Sequence, residues 1–507
     1  MKKNIIFYNI VSSIALQLTT IICGFFVTRT ILAAFGSELN GMLSSINQFL
    51  NFIGLLEGGM TSVLMASFYK PLADSNFEKI SSVYNAAKKC YQSIAIIYIA
   101  YLIVVSVLYT VFISTSFSKL FVLTLALILG ISLFIQYFFV LSYKTLLNAD
   151  RKVYLVSNVQ IIITILNAIL ICAFSCALPS IHIIKLLSAI VYVLQPVVFY
   201  LYVKKNYTIS PDIPADPVTL SHRWDGLGQN VAYFINSNTD IVLLTMFSTL
   251  SQVSVYSVYA LVSSGLKAIV LAVSRAIMPS VGYLAANGSS NVKDAAFNEY
   301  EFFIGFISTI LFSAAFVLIT PFVRLYTADI TDTNYIVPSL GAFLILAEYF
   351  FCYRDPYIAT AYACGHIKST SKFAYAEAAI NLCISIALIF RLGVTGVAIG
   401  TVCAMFVRMI GQVIYLDNNI LPRRFLQFLK RFLLLSASGI ASILISMAIL
   451  SFSSIRNYFD WVLYGIVCVI IATLATSAAV GIFYRKDFLS LLRMIKISRN
   501  KGGNHGK

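Results

Sequence analysis

Arg29, Lys267, Arg275, Arg354 and Arg408, together with Glu57, Asp240, Glu348, Asp355 and Glu377, interrupt stretches that are otherwise almost wholly apolar. At a bilayer centre each such charge costs at least ~2.5–3.5 kcal/mol on insertion scales, so each needs a partner or a water-filled cavity. Guanidinium stays charged and holds phosphate oxygens through parallel hydrogen bonds, and ammonium adds a compact point charge. Arg29, Lys267, Arg275 and Arg408 can therefore form a cationic path for a phosphate-bearing solute. Lys267 and Arg275 lie roughly two helical turns apart, about 80° around one helix, and can address one cavity. Glu57 precedes Gly58 and Gly59, and Asp240 closes the polar run Asn236-Ser237-Asn238-Thr239-Asp240. Either carboxylate can bind Na⁺ or exchange protons. The competing reading pairs these cations with the carboxylates as structural ion pairs, or lets their long stems snorkel to an interface. Arg354, beside Asp355, fits that reading best, and Glu377, Asn381 and Ser385 form a one-face row suited to interhelical hydrogen bonding.

The elements that must position these groups follow from composition. Of 507 residues, 59% are apolar and 11% charged, and the mean hydropathy is +0.87. A soluble domain carries charge on about a quarter of its residues, so a cytosolic globular enzyme, a disordered chain and a disulfide scaffold are excluded. About fourteen apolar segments of roughly 20 residues can be counted, from 8–33 and 41–67 to 461–484. Hydrocarbon offers backbone groups no partner, and these runs are too long for barrel strands, so the expected fold is an all-α polytopic membrane protein. Met1-Lys2-Lys3 and the apolar run after it read as the first span, since no small-residue cleavage site follows.

Most Lys and Arg residues fall in alternate connections, while the other set holds only Lys119, Lys185, Arg324, Arg391 and Arg456. The positive-inside rule then puts both termini in the cytoplasm. The net charge of +16 belongs to basic loops beside an anionic leaflet and gives no support to a nucleic-acid partner. The cysteines lie mostly inside spans; Cys172 and Cys176, one turn apart, lack the further ligands zinc needs, so neither a metal site nor a cofactor is expected.

A segment with Pro211, Pro214 and Pro217 separates six spans from the rest. Laying the second half on the first aligns Met65, Ser67 and Ala73 with Met278, Ser280 and Ala286, and a long helix running into a cytoplasmic loop of about 20 residues occurs at 41–90 and again at 255–301. The expected organisation is a six-helix bundle at 1–210, a second at 211–422 in parallel repeat around a central cavity, two further helices at 423–484 and a basic tail at 485–507.

As an ordered set, Leu55-Leu56-Glu57-Gly58-Gly59, Asn238-Thr239-Asp240 with Val255-Tyr256-Ser257-Val258-Tyr259, and Gly365-His366-Ile367-Lys368-Ser369-Thr370 leading to Glu377 resemble the bacterial polysaccharide-transport flippases. These belong to the multidrug/oligosaccharidyl-lipid/polysaccharide exporter superfamily. The resemblance implies two bundles around a cavity in the bacterial cytoplasmic membrane. It also implies an undecaprenyl-diphosphate-linked oligosaccharide as substrate, moved between leaflets by alternating access for capsule or O-antigen assembly. Membrane lipids and polysaccharide polymerase machinery would be its partners. Arg29, Lys267 and Arg275 are the positions it would assign to the diphosphate; the departure is the near balance of interior cations and carboxylates.

An ion-coupled multidrug or small-molecule antiporter of the same superfamily is the nearest alternative, with Glu57 or Asp240 as coupling acid. A flippase for the peptidoglycan precursor lipid is another. A membrane glycan polymerase or ligase would need a sizeable outer loop, and an ATP-driven pump would need a G-x-x-x-x-G-K-[ST] loop, which the sequence lacks.

Overall fold

The computed structural model describes residues 2–177, 180–217, 219, 238–287, 290–421, 425–451 and 455–485. Arg223, Asn236, Ser237 and the basic segment after Arg485 lie outside the described residues. Among the described residues there are helices and no strands: α1 (Lys2–Asn51), α2 (Gly54–Ala73), α3 (Phe77–Phe112), α4 (Lys119–Ala149), α5 (Val153–Ala177), α6 (Ile181–Asn206), α7 (Asn238–Phe247), α8 (Leu250–Asn287), α9 (Ser290–Tyr326), α10 (Pro338–Ala363), α11 (Ile367–Leu392), α12 (Val394–Asn419), α13 (Phe425–Ser451) and α14 (Tyr458–Phe483). Among the described residues, eleven helical stretches are long and apolar enough to cross a bilayer. Their outward surfaces carry side chains such as Phe26, Ile103, Leu201 and Leu474, which only lipid would solvate. The protein is a multi-pass membrane protein.

The chain divides into two compact units, Met1–Ser257 and Val258–Lys507. The boundary falls inside α8 because 238–257 is tied to α1. Gln48 donates to the Asn238 side chain, Thr245 donates to Ser45 at 2.7 Å, and Asn40 donates to Ser254 at 2.7 Å. Gly41 lets the backbones approach, since a Cβ there would stand 1.7 Å from the Leu250 carbonyl oxygen.

In the first unit, apolar segments 8–33 and 41–67 are joined without a loop. Gly36 has φ 81°, a conformation that costs a residue with a Cβ roughly 1–2 kcal/mol, and it turns the chain within one residue. The second of these segments is not continuous. Phe52 and Ile53 interrupt it, and the amides of Phe52, Ile53, Leu55 and Leu56 bond carbonyls three residues back instead of four. A π-turn at Gln136–Val140 interrupts α4. Such irregular backbone in a spanning helix recurs at hinges and functional sites.

The proline-bearing segment after α6 begins as a strap fastened to the start of α3. Asn85 donates to the carbonyls of Ser210 and Ile213, Ser82 donates to Pro214, and Lys79 Nζ lies 2.9 Å from Asp216 Oδ1. Burial pushes the Asp216 carboxyl up, but hydrogen bonds from Thr219 and Lys79 outweigh it and hold the group below its usual range.

In the second unit, Gly393 at φ 55° makes the hairpin between α11 and α12 with no further loop. The last two helices are built into this unit. Arg431 of α13 reaches Glu301 of α9 at 2.7 Å, Trp461 of α14 donates to the Leu318 carbonyl at 3.1 Å, and Phe428 and Phe432 pack edge-on against Tyr353.

Gly41→Ala is expected to push α8 off α1 at a cost of about 1–3 kcal/mol, read as a lower melting temperature in detergent. Gly465→Ala, whose Cβ would meet only Leu318 at 3.7 Å, is the control and should leave melting unchanged. The lowered Asp216 carboxyl adds stability above its unfolded pKa of about 3.9 and loses it as pH falls. Asp216→Asn should therefore melt earlier than wild type at pH 7, with the gap closing toward pH 3.

Candidate functional site

The second unit gathers its interior charges into one connected array. α10 carries Glu348, Arg354 and Asp355 within two turns, a polar density that turns its face inward. Glu348 accepts from Lys267 of α8 at 2.7 Å, and the Lys267 ammonium also sits 4.9 Å from the centre of the Phe351 ring. Arg354 lies over the same ring at 4.6 Å and donates to Glu377 Oε1 of α11 at 2.7 Å. Arg408 of α12 donates to the other oxygen, Glu377 Oε2. Glu377 is fully buried, and the Arg354 and Arg408 side chains are 2% and 6% exposed. One carboxylate thus bridges two largely buried guanidinium groups, and the cluster keeps one net positive charge. Two turns along α8 from Lys267, Ser274 donates to Asp355, and Tyr300 lies 2.5 Å from the Ser274 hydroxyl.

Exposure separates these cations. Lys267 is 27% and Glu348 14% exposed, so this pair remains reachable. Arg275 is exposed and acts on Asp355 only through space. Arg408 is buried and donates to Glu377 through one guanidinium nitrogen. In the first unit, Arg29 is half-buried on α1 beside Thr30, which contacts Cys172 of α5 at 3.4 Å.

Glu57 sits where the two backbone irregularities of the first unit converge. It follows the short-bonded turn at 52–56 by one residue and accepts a hydrogen bond from Tyr137, inside the π-turn, at 3.1 Å. Lys144, two turns beyond Tyr137 on α4, acts on it through space. The shell continues through Tyr91, bonded to Thr61 and Thr145. Asp240 is held by the Tyr256 hydroxyl at 2.5 Å, a link from α7 to α8 within the same unit. Among the described residues, no cluster of His, Cys, Asp and Glu could hold a metal ion.

Sequence reasoning missed Tyr137, Lys144 and the Glu301–Arg431 pair. Lys144 and Arg431 read as loop residues because hydropathy places span ends only to within a few residues. No sequence signal marks a Tyr as the partner of an acid on another helix. The Asn381 and Ser385 row was legible, and Ser385 does donate to Asn381 at 2.9 Å.

No protein-family model and no curated protein matches the sequence. Solved structures do match in fold. A lipid II flippase, MurJ, in an inward closed conformation superposes with a TM-score of 0.74 at 17% identity, over 94% of this chain and 99% of that one. An inward-facing multidrug resistance MATE family transporter of the MOP superfamily gives 0.63 at 15% identity, over 80% of this chain and 95% of the other. The eukaryotic MATE transporter AtDTX14 gives 0.60 at 13% identity, over 82% and 95%. The chain therefore has the all-helical fold of these transporters.

Removing the charge of Glu377 strands two buried guanidinium groups. Glu377→Gln should cost about 3–5 kcal/mol, the range for breaking a buried pair, and show as loss of monodisperse protein on size exclusion or a sharp drop in melting temperature.

Proposed function

We propose that this protein is a flippase that carries undecaprenyl-diphosphate-linked oligosaccharide from the cytoplasmic to the outer leaflet of a bacterial cytoplasmic membrane. The observation that carries the reading is the extent of the fold likeness. The flippase structure accounts for 94% of this chain, whereas the multidrug transporters account for 80–82% while nearly exhausting themselves. The remainder is close in size to the segment from 423 onward, whose α13 is fastened to α9 by a buried ion pair.

The barrier to lipid flipping is dehydration of the charged diphosphate and its sugars, while the lipid tail can stay in hydrocarbon. A protein lowers that barrier by substituting fixed polar groups for water. Arg29, Lys267 and Arg275 are the groups we assign to the diphosphate. Lys267, 27% exposed, is accessible enough to exchange Glu348 for a phosphate oxygen. Arg408 and Arg354 hold Glu377 and the α10–α12 packing behind that surface.

Glu57 is the acid best placed to couple transport to H⁺ or Na⁺, since its hydrogen bond joins two helices whose backbone is irregular at the junction. Asp240, paired with Tyr256, is the second. The same acids would serve an ion-coupled small-molecule antiporter, which the multidrug-transporter likenesses favour; interior lysine and arginine disfavour a cationic drug as cargo. In the flippase reading both termini are cytoplasmic, and export feeds a polysaccharide polymerase on the far side.

The test is reconstitution into liposomes with a fluorescent undecaprenyl-diphosphate oligosaccharide, scored for outer-leaflet appearance under imposed H⁺ and Na⁺ gradients. Wild type should move the lipid. Arg29→Ala and Lys267→Ala should each slow it by at least about tenfold, the factor equivalent to one lost charge-assisted hydrogen bond, with the Lys267 change repeated in Glu348→Gln so that no charge is stranded. Glu57→Gln should remove gradient dependence. Normal rates in both cation variants would overturn the cationic contacts, and no movement by folded wild type under any gradient would favour the antiporter.

A further inference from the structure

The first unit contains a recess of about 270 Å³ walled by α1, α4, α5 and α6. Asn47 and Asn51 on α1, Gln136 in the π-turn, Asn167 on α5, and Lys185 and Tyr192 on α6 supply most of its wall. Such a lining inside spanning helices is costly unless something satisfies it. Asn167 already accepts from Ser188. Among the described residues, the side chains of Asn47, Asn51, Gln136, Lys185 and Tyr192 have no protein partner.

Lys185 is the unusual member. By sequence it belongs to an outer connection; the structure puts it one turn inside α6, with Ser188 and Tyr192 following at helical spacing on the same face. The wall of the recess carries no Asp or Glu. In the second unit Lys267, Arg354, Arg408 and Arg431 each have a carboxylate in contact. Lys185 faces uncharged amides and hydroxyls instead, so a ligand must bring its counter-charge.

We propose that the recess is a binding subsite for an acidic sugar, with Lys185 meeting the carboxylate, the amides meeting ring hydroxyls, and Tyr192 offering a stacking face. The chemistry fits in three respects. Amide side chains both donate and accept, as vicinal hydroxyls require. A single lysine is a point charge suited to one carboxylate, whereas a diphosphate calls for guanidinium forks. The volume lies just below the roughly 300–1,000 Å³ of drug-sized pockets, so it admits one glycosyl unit and leaves the rest of a chain outside. This rests on the flippase reading for its biological meaning, since it makes the recess a selector of the cargo glycan, but binding itself does not depend on transport.

The deciding measurement is therefore binding to the detergent-purified full chain, by calorimetry, of a trisaccharide ending in glucuronate against the same trisaccharide ending in glucose. Wild type should prefer the acidic form by about tenfold, the factor equivalent to one charge-assisted hydrogen bond. Lys185→Gln should bring the ratio near one, and Lys185→Arg, which keeps the charge and reports on folding, should retain the preference. Equal binding of both sugars by wild type, or an unchanged ratio in Lys185→Gln, would overturn the subsite. Inorganic phosphate competing as well as glucuronate would overturn its assignment to an acidic sugar. Acidic-sugar binding without lipid movement in liposomes would leave the subsite standing and count against the flippase reading alone.

Discussion

A charge inside the bilayer has no water to fall back on, and this governs the second unit. Glu377 takes Arg354 on one oxygen and Arg408 on the other, which draws α10, α11 and α12 together around a single buried carboxylate. Desolvating three charges is expensive, and their mutual attraction offsets it only if the geometry is held by everything around it. The row Glu377, Asn381 and Ser385 fits that role, since Asn381 and Ser385 are buried and bonded on the same face of α11. Arg431 and Glu301 repeat the solution between α13 and α9, so the C-terminal helices are bound to their unit by the same physics.

The first unit meets the constraint differently. Glu57 accepts a hydrogen bond from one phenol and feels one ammonium, and the helices on both sides lose regular hydrogen bonding where they meet it. A regular helix satisfies the backbone groups of its interior by one pattern of bonds and has no reason to change shape there. A helix with a short-bonded turn or a π-turn has two nearly equivalent ways to pair the same groups, which makes it a natural place for a ligand or proton to bias conformation. The second unit thus joins its interior charges in ion pairs, while the recess of the first is lined by polar side chains without protein partners.

That contrast shapes the functional reading. Cations already paired and sealed, such as Arg408, serve structure, while Lys267 and Arg275 stay partly or fully exposed and Lys185 lacks any anion among the described residues. Cargo recognition by a flippase needs groups of the second kind, because a charge sealed between helices cannot reach a diphosphate or a sugar acid.

The sequence by itself determined the class of molecule. Apolar runs of bilayer length and basic residues on alternate connections leave no other solution than a bundle of spanning helices, because hydrocarbon enforces helicity regardless of detail. It also determined which residues were out of place, since a charge within such a run is conspicuous: Glu57, Lys267, Glu348, Arg354, Glu377 and Arg408 were all legible. Their pairing was not, because ion pairs such as Lys267–Glu348 and Arg408–Glu377 join residues on different helices, and no spacing rule relates distant segments. Gly36 as a one-residue turn, the break at Phe52 and Ile53, and the π-turn at Gln136–Val140 escaped as well, since a helix interrupted for one turn keeps the hydropathy of a continuous one. Only the tertiary structure could decide that Lys185 lies inside a helix facing amides, because its position one turn from a span end is compatible with a loop, an interface or a site, and packing alone chooses among them.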